Sequence, residues 1–206
     1  YSSAVNITGR YRATSATLTS ITDDTVGGPH NFGPGGIGCP DGPWRLTGSA
    51  SSEVTLDRVV TRSADLRAQE SSSSWTITGS TLTATNLTML AGTTLVMDDT
   101  LIDAGSGPAK QVAANGARGF GSPPGSVHVE ITGSIFDHVA LQLAYIDDTS
   151  NIAANSFRNH DDPITLTNAS AATLDLSGTA SANQLQDEGR RRTVLMNSVR
   201  VPSGAR

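Results

Sequence analysis

Lysine is almost missing from this sequence: of 14 Lys and Arg residues, only Lys110 is a lysine. Aromatic residues make up 4%, charged residues 16%, and the 206 residues include one cysteine. Each shortage excludes something. Cys39 has no partner for an intrachain disulfide, and His30 is the only candidate ligand near it, so neither a metal nor a cofactor is expected. The net charge is −5 and the only basic run is Arg190, Arg191 and Arg192, which reads as a solvated end segment. A nucleic-acid partner is therefore not expected, because such a surface needs a basic stripe. No apolar run approaches the length that spans a bilayer. The opening YSSAVNITG lacks a signal-peptide pattern and reads as a mature or trimmed start.

What is present is small and polar. Glycine contributes 21 residues, and serine with threonine about a quarter of the chain. Such a composition is poor in helix formers. A nearly Cys-free, Ser/Thr/Asn-rich chain points to an extracellular or surface-exposed protein of bacterial or phage-related origin. The length suffices for one sizeable domain, taken as 1–206.

The informative feature is a repeat. VTLDRVVTR (54–62), WTITGSTLTA (75–84), TLVMDDTLID (94–103), VEITGSIFDH (129–138), SNIAANSFRN (150–159) and TLDLSGTASA (173–182) each centre on one apolar residue. These anchors are Leu56, Ile77, Met97, Ile131, Ile152 and Leu176, spaced by 21, 20, 34, 21 and 24 residues. Three residues past the anchor a small or polar residue usually sits: Ser80, Thr100, Ser134, Asn155 and Thr179. Two further residues on comes Thr61, Leu82, Ile102, Phe136, Phe157 or Ser181. A third apolar position follows at Leu66, Leu87, Leu141 and Ile164. Each unit thus holds three short strand-like pieces joined by turn residues. A unit of this size cannot bury its own few apolar side chains. Units stacked at the strand spacing of about 4.8 Å align them into inward ladders. The predicted architecture is all-β, a solenoid of about 22 residues per coil.

The phrases I-x-x-S/N-x-F, Ile131 to Phe136 and Ile152 to Phe157, resemble the right-handed parallel β-helix superfamily of pectate lyases, phage tailspikes and many bacterial surface proteins. The resemblance covers 54–186 well and 1–53 weakly. It implies a right-handed, single-stranded parallel β-helix, and for Ser134 and Asn155 a corner or ladder role. Two stretches read as inserted loops: 22–45, with Phe32 and Trp44, and 103–126, with Lys110, Arg118 and Phe120. Removing most of the second loop should leave the coil folded. Residues 187–206 lose the repeat and read as a cap or tail.

Members of that superfamily that cut polysaccharides use clustered carboxylates and an Arg or Lys base. Here aligning Ile131 with Ile152 sets Asp137 against Arg158 and His138 against Asn159. An enzymatic reading would therefore use Asp137, His138, Arg158, His160 and Asp161, as a polysaccharide lyase or glycoside hydrolase with its site near 137–162. The preferred reading assigns no catalytic residue. Asp147-Asp148 and Asp161-Asp162-Pro163 are turn chemistry, and nine aromatics offer little for a sugar platform. The expected function is a non-enzymatic secreted or particle-surface module, rigid, adhesive or fibre-forming. Its partners would be surface polysaccharide or other copies in a fibre-like assembly.

Overall fold

The computed structural model describes residues 4–19, 44–69, 72–105, 110–116, 125–170, 173–177, 182–186 and 193–200. These residues form three parallel sheets, with strands numbered here in chain order. Sheet A contains β1 (Ala4–Ile7), β4 (Trp44–Gly48), β7 (Ala64–Ala68), β10 (Asn86–Leu90), β13 (Lys110–Asn115), β16 (Val139–Ala144), β19 (Ile164–Thr167) and β21 (Val194–Asn197). Sheet B contains β2 (Arg10–Thr14), β5 (Glu53–Asp57), β8 (Ser74–Thr78), β11 (Thr94–Asp98), β14 (His128–Thr132) and β17 (Asn151–Ala153). Sheet C contains β3 (Thr17–Leu18), β6 (Val60–Arg62), β9 (Thr81–Thr83), β12 (Leu101–Asp103), β15 (Ile135–Asp137), β18 (Ser156–Arg158) and β20 (Gln184–Gln186). The chain visits the sheets in turn, and each strand pairs with its counterparts one visit earlier and later, as a parallel β-solenoid requires.

Register confirms the anchors. Leu56 pairs with Ile77, Ile77 with Met97, Met97 with Ile131 and Ile131 with Ile152. Thr61, Leu82, Ile102, Phe136 and Phe157 form the matching column of sheet C. The expected core residues Ile77, Leu82, Ile131, Phe136, Ile152 and Phe157 are all buried. The Phe136 and Phe157 rings stack with centroids 4.6 Å apart and planes 13° apart, close to the spacing of adjacent rungs.

Five expectations change. Leu176 is 44% exposed, and Leu174 takes the anchor position through a parallel bridge to Ile152. The two leucines lie two residues apart on one face of an alternating stretch, and the corner at Ser170 to Thr173 selects the first, with Thr173 Oγ1 donating to the Ser170 carbonyl at 2.7 Å. Leu185, paired with Phe157, stands in the column assigned to Ser181, while Ser181 and Thr179 lie outside the described residues. The expected loop 103–126 carries β13, whose Val112 pairs with Leu87 and Leu141 and is fully buried, so the stretch is part of the core. The long interval between Met97 and Ile131 therefore holds a full set of strands plus the flanking segments 106–109 and 117–124, which lie outside the described residues. Of the expected loop 22–45, residues 22–43 lie outside the described residues, and Trp44 and Arg45 open β4. Of the tail 187–206, residues 194–197 form β21 and pair with β19.

Corners between sheets B and C use a repeated two-residue device. Arg58, Gly79, Asp99, Gly133 and Ala154 take φ of 54°, 55°, 47°, 59° and 57°. This left-handed conformation reverses the chain sharply, and only two of the five are the glycines that adopt it freely. The next residue turns inward: Val59, Ser80, Thr100, Ser134 and Asn155, all buried.

Candidate functional site

The inward corner residues form a buried polar ladder. Ser80 Oγ accepts from the Val59 amide at 3.0 Å, Ser134 Oγ from the Thr100 amide at 3.2 Å and Asn155 Oδ1 from the Ser134 amide at 2.9 Å. Asn183 continues it, its Oδ1 accepting from the Asn155 amide at 3.1 Å and from Asn155 Nδ2 at 2.9 Å. The same side chains donate to carbonyls of the preceding rung, Asn155 to Ile131 at 2.9 Å and Asn183 to Ile152 at 2.6 Å. Each side chain thus supplies partners to backbone groups that a sheet-to-sheet corner leaves unpaired. This is the ladder role expected for Ser134 and Asn155. Asn183 was missed because the chain slips before it.

The five residues of the enzymatic reading fall into two groups. Asp137 and Arg158 pair in register, as the Ile131–Ile152 alignment predicts, although their closest approach is 3.9 Å. Asp137 Oδ1 accepts from Asn159 Nδ2 at 2.8 Å and lies 2.8 Å from His138 Nδ1. His138 and Asn159 hold equivalent left-handed corner positions on successive rungs, φ 55° and 60°. His160 and Asp161 lie on the following bend. His160 Nδ1 accepts from the Asp162 amide at 3.2 Å, and Thr193 Oγ1 donates to the Asp161 carbonyl at 3.1 Å and to Asp162 Oδ1 at 2.7 Å. These contacts tie the bend to the residue that precedes β21.

A second polar cluster centres on His128, which the sequence reading passed over. His128 and Glu130 stand two apart on the outer face of β14. The bridge between Val127 and Ile146 brings the turn at 147–150 alongside. His128 Nδ1 lies 3.1 and 3.2 Å from the two Asp147 oxygens, and Nε2 lies 3.1 Å from Glu130 Oε1. Asp147 Oδ1 also accepts from the Thr149 amide at 3.1 Å, Thr149 Oγ1 at 2.8 Å and Ser150 Oγ at 3.0 Å. Burial opposes charge on His128, but hydrogen bonds to Glu130 and Asp147 outweigh it and raise the imidazole pKa. Burial likewise opposes charge on Asp147, and hydrogen bonds from Thr149, His128 and Ser150 outweigh it and lower its pKa. The imidazole is thus held between two carboxylates, which favour its charged form. A general base needs one ring nitrogen aimed at substrate, and here both are engaged by carboxylates. The signal was available: aligning Ile131 with Ile152 sets His128 against Thr149, whose Oγ1 is 3.3 Å from Nδ1.

Charge pairing recurs on sheet A. Asp65, only 5% exposed, accepts from Arg45 Nε at 3.2 Å and from Arg67 Nε at 2.9 Å. Among the described residues no group of three or more His, Cys, Asp or Glu is placed to hold a metal ion. No helix among them is long and apolar enough to cross a membrane. No protein-family model matches this chain, and neither a curated protein nor a solved structure matches it.

Proposed function

We propose that the chain is a right-handed parallel β-helix of about 22 residues per coil that serves as a non-enzymatic structural module on a secreted protein or particle surface. The carrying observation is the unbroken parallel ladder of sheet A from β1 to β21, matched by ladders in sheets B and C. Eight strands at about 4.8 Å give a stiff rod about 34 Å long, suited to a spacer or an assembly element. Right-handedness is supported by the strong preference of parallel strand connections for that hand. The outer polar groups support the same reading: Asp65, Asp137 and Asp147 each meet basic or hydroxyl side chains of this chain. Partners of this module are surface polysaccharide or further copies in a fibre-like assembly, in an extracellular or surface-exposed setting.

The test is turnover. The purified chain is incubated with pectate, alginate and chondroitin, with and without Ca²⁺, and unsaturated products and reducing ends are followed. No product is expected. Activity that disappears in Arg158→Ala or Asp161→Ala with the fold intact overturns the non-enzymatic reading.

A further inference from the structure

His128 has a carboxylate at each ring nitrogen. Nδ1 lies 3.1 Å from Asp147 Oδ2 and 3.2 Å from Oδ1, and Nε2 lies 3.1 Å from Glu130 Oε1. A protonated imidazole donates at both nitrogens and satisfies both carboxylates. A neutral imidazole has a single N–H. Its other nitrogen then turns a lone pair toward a carboxylate, so deprotonation must break one of the two contacts.

Which contact breaks follows from what else holds each carboxylate. Asp147 Oδ1 also accepts from the Thr149 amide, Thr149 Oγ1 and Ser150 Oγ, and its side chain is 29% exposed. The Glu130 side chain is 50% exposed, and among the described residues its one partner is the ring. Water can therefore replace that partner for Glu130, whereas Asp147 could leave only by dragging the turn at 147–150 with it. A proton on Nε2 would keep Glu130 and set the Nδ1 lone pair against both Asp147 oxygens. Thr149 Oγ1, 3.3 Å from Nδ1, already donates to Asp147 Oδ1 at 2.8 Å and does not relieve that repulsion. No other described charge competes for the ring. Strand β11 sets Thr94 beside His128 and Val96 beside Glu130, and β17 sets Asn151 beside Glu130. Asp98, further along β11, accepts from Thr132 Oγ1, and Asp148, in the same turn as Asp147, pairs with Arg200.

We infer that Glu130 is the moving part of a pH-operated latch on the outer face of sheet B: it lies pinned on the protonated ring and is released to solvent when the ring is neutral, while Asp147 keeps the ring and the turn stays docked. The latch changes charge as well as shape. The three side chains carry one net negative charge with the ring protonated and two with it neutral. Cationic groups are therefore drawn to this face more strongly as pH rises. Burial opposes the charged ring, but the hydrogen bonds and charges of Glu130 and Asp147 outweigh it and raise its pKa from 6.5, which sets the release above that value.

The experiment is a pH titration of the full chain followed by NMR. Below the midpoint both ring nitrogens should be protonated and the Glu130 side chain should hold one rotamer. Above it the neutral ring should carry its proton on Nδ1, read from the ring nitrogen shifts. The three-bond couplings of Glu130 should fall to rotamer averages with the same midpoint as His128. The Thr149 amide, bonded to Asp147, should keep its hydrogen-exchange protection on both sides of that midpoint. Glu130→Gln removes the charge and keeps a side chain that can both donate and accept, so it should lower the His128 midpoint without disturbing the fold. A neutral ring protonated on Nε2, a Glu130 rotamer indifferent to the titration, Thr149 protection lost above the midpoint, or an unchanged midpoint in Glu130→Gln overturns the inference.

Discussion

Asn155 shows how one side chain supports two rungs. Its Oδ1 takes the Ser134 amide and its Nδ2 serves the Ile131 carbonyl, all of it buried. Asn155→Ala leaves a buried donor and a buried acceptor unpaired, which should cost about 2–4 kcal/mol in denaturant unfolding. Asn155→Ser should cost less, because Ser134 and Ser80 do the accepting half of the same job. Equal losses in the two variants would count against a hydrogen-bonding role. His128 makes a prediction in pH. Burial lowers its pKa, the Glu130 and Asp147 hydrogen bonds and charges together raise it by more, and the net shift is upward from 6.5. Its contribution to stability is therefore fully present below pH 6.5 and lost as pH rises through the raised folded value. Asp147, with its lowered pKa, keeps its charge across that window, since its own contribution fades only as pH falls through the acid range. A histidine titration followed by NMR should place His128 above an unfolded-peptide reference, and His128→Gln should flatten the stability profile over that range. An unshifted His128 would refute the clamp.

At the scale of elements, the strands with a bulky residue at every inward position were legible, and those without were not. β8 reads Trp75 and Ile77, and β11 reads Leu95 and Met97, so alternation announces both. β13 offers only Val112 and Ala114 inward, between stretches rich in glycine, and was read as loop for lack of side-chain volume. Corners were hidden for a related reason. Arg58, Asp99 and Ala154 fill left-handed positions where glycine would have marked the turn. Asp137 against Arg158 was legible because register follows directly from the Ile131–Ile152 alignment; the same alignment sets His128 against Thr149, but the contact with Asp147 also needs the turn at 147–150 beside β14. The β13 assignment carries its own test. Val112→Asp buries a carboxylate between Leu87 and Leu141 and should cost about 3 kcal/mol or more, while Ala113→Asp, one residue on and outward, should stay within about 1 kcal/mol. Deleting 106–124 should now unfold the chain rather than shorten a loop. A folded deletion variant would show that β10 and β16 can pair directly.

The whole molecule is closer to a one-dimensional stack than to a globule. Each rung touches the rung before and the rung after, so stability is a sum of rung terms and neighbour interfaces. Middle rungs have two interfaces. The first rung has one, and its Val5 is half exposed; the last has one, and its Met196 is half exposed. Opening should therefore begin at the ends and move inward, with free energies rising toward the middle. Native-state hydrogen exchange in dilute solution reads this directly. Amides of β8, β11 and β14, whose inward residues Trp75, Ile77, Leu95, Met97, Val129 and Ile131 are fully buried, should exchange only through the largest openings. Amides of β1 and β21 should exchange fastest, and β5 and β17 should fall between. Protection that is uniform from first rung to last would mean that the chain unfolds as one cooperative block, and the rung-by-rung description of its stability would fail.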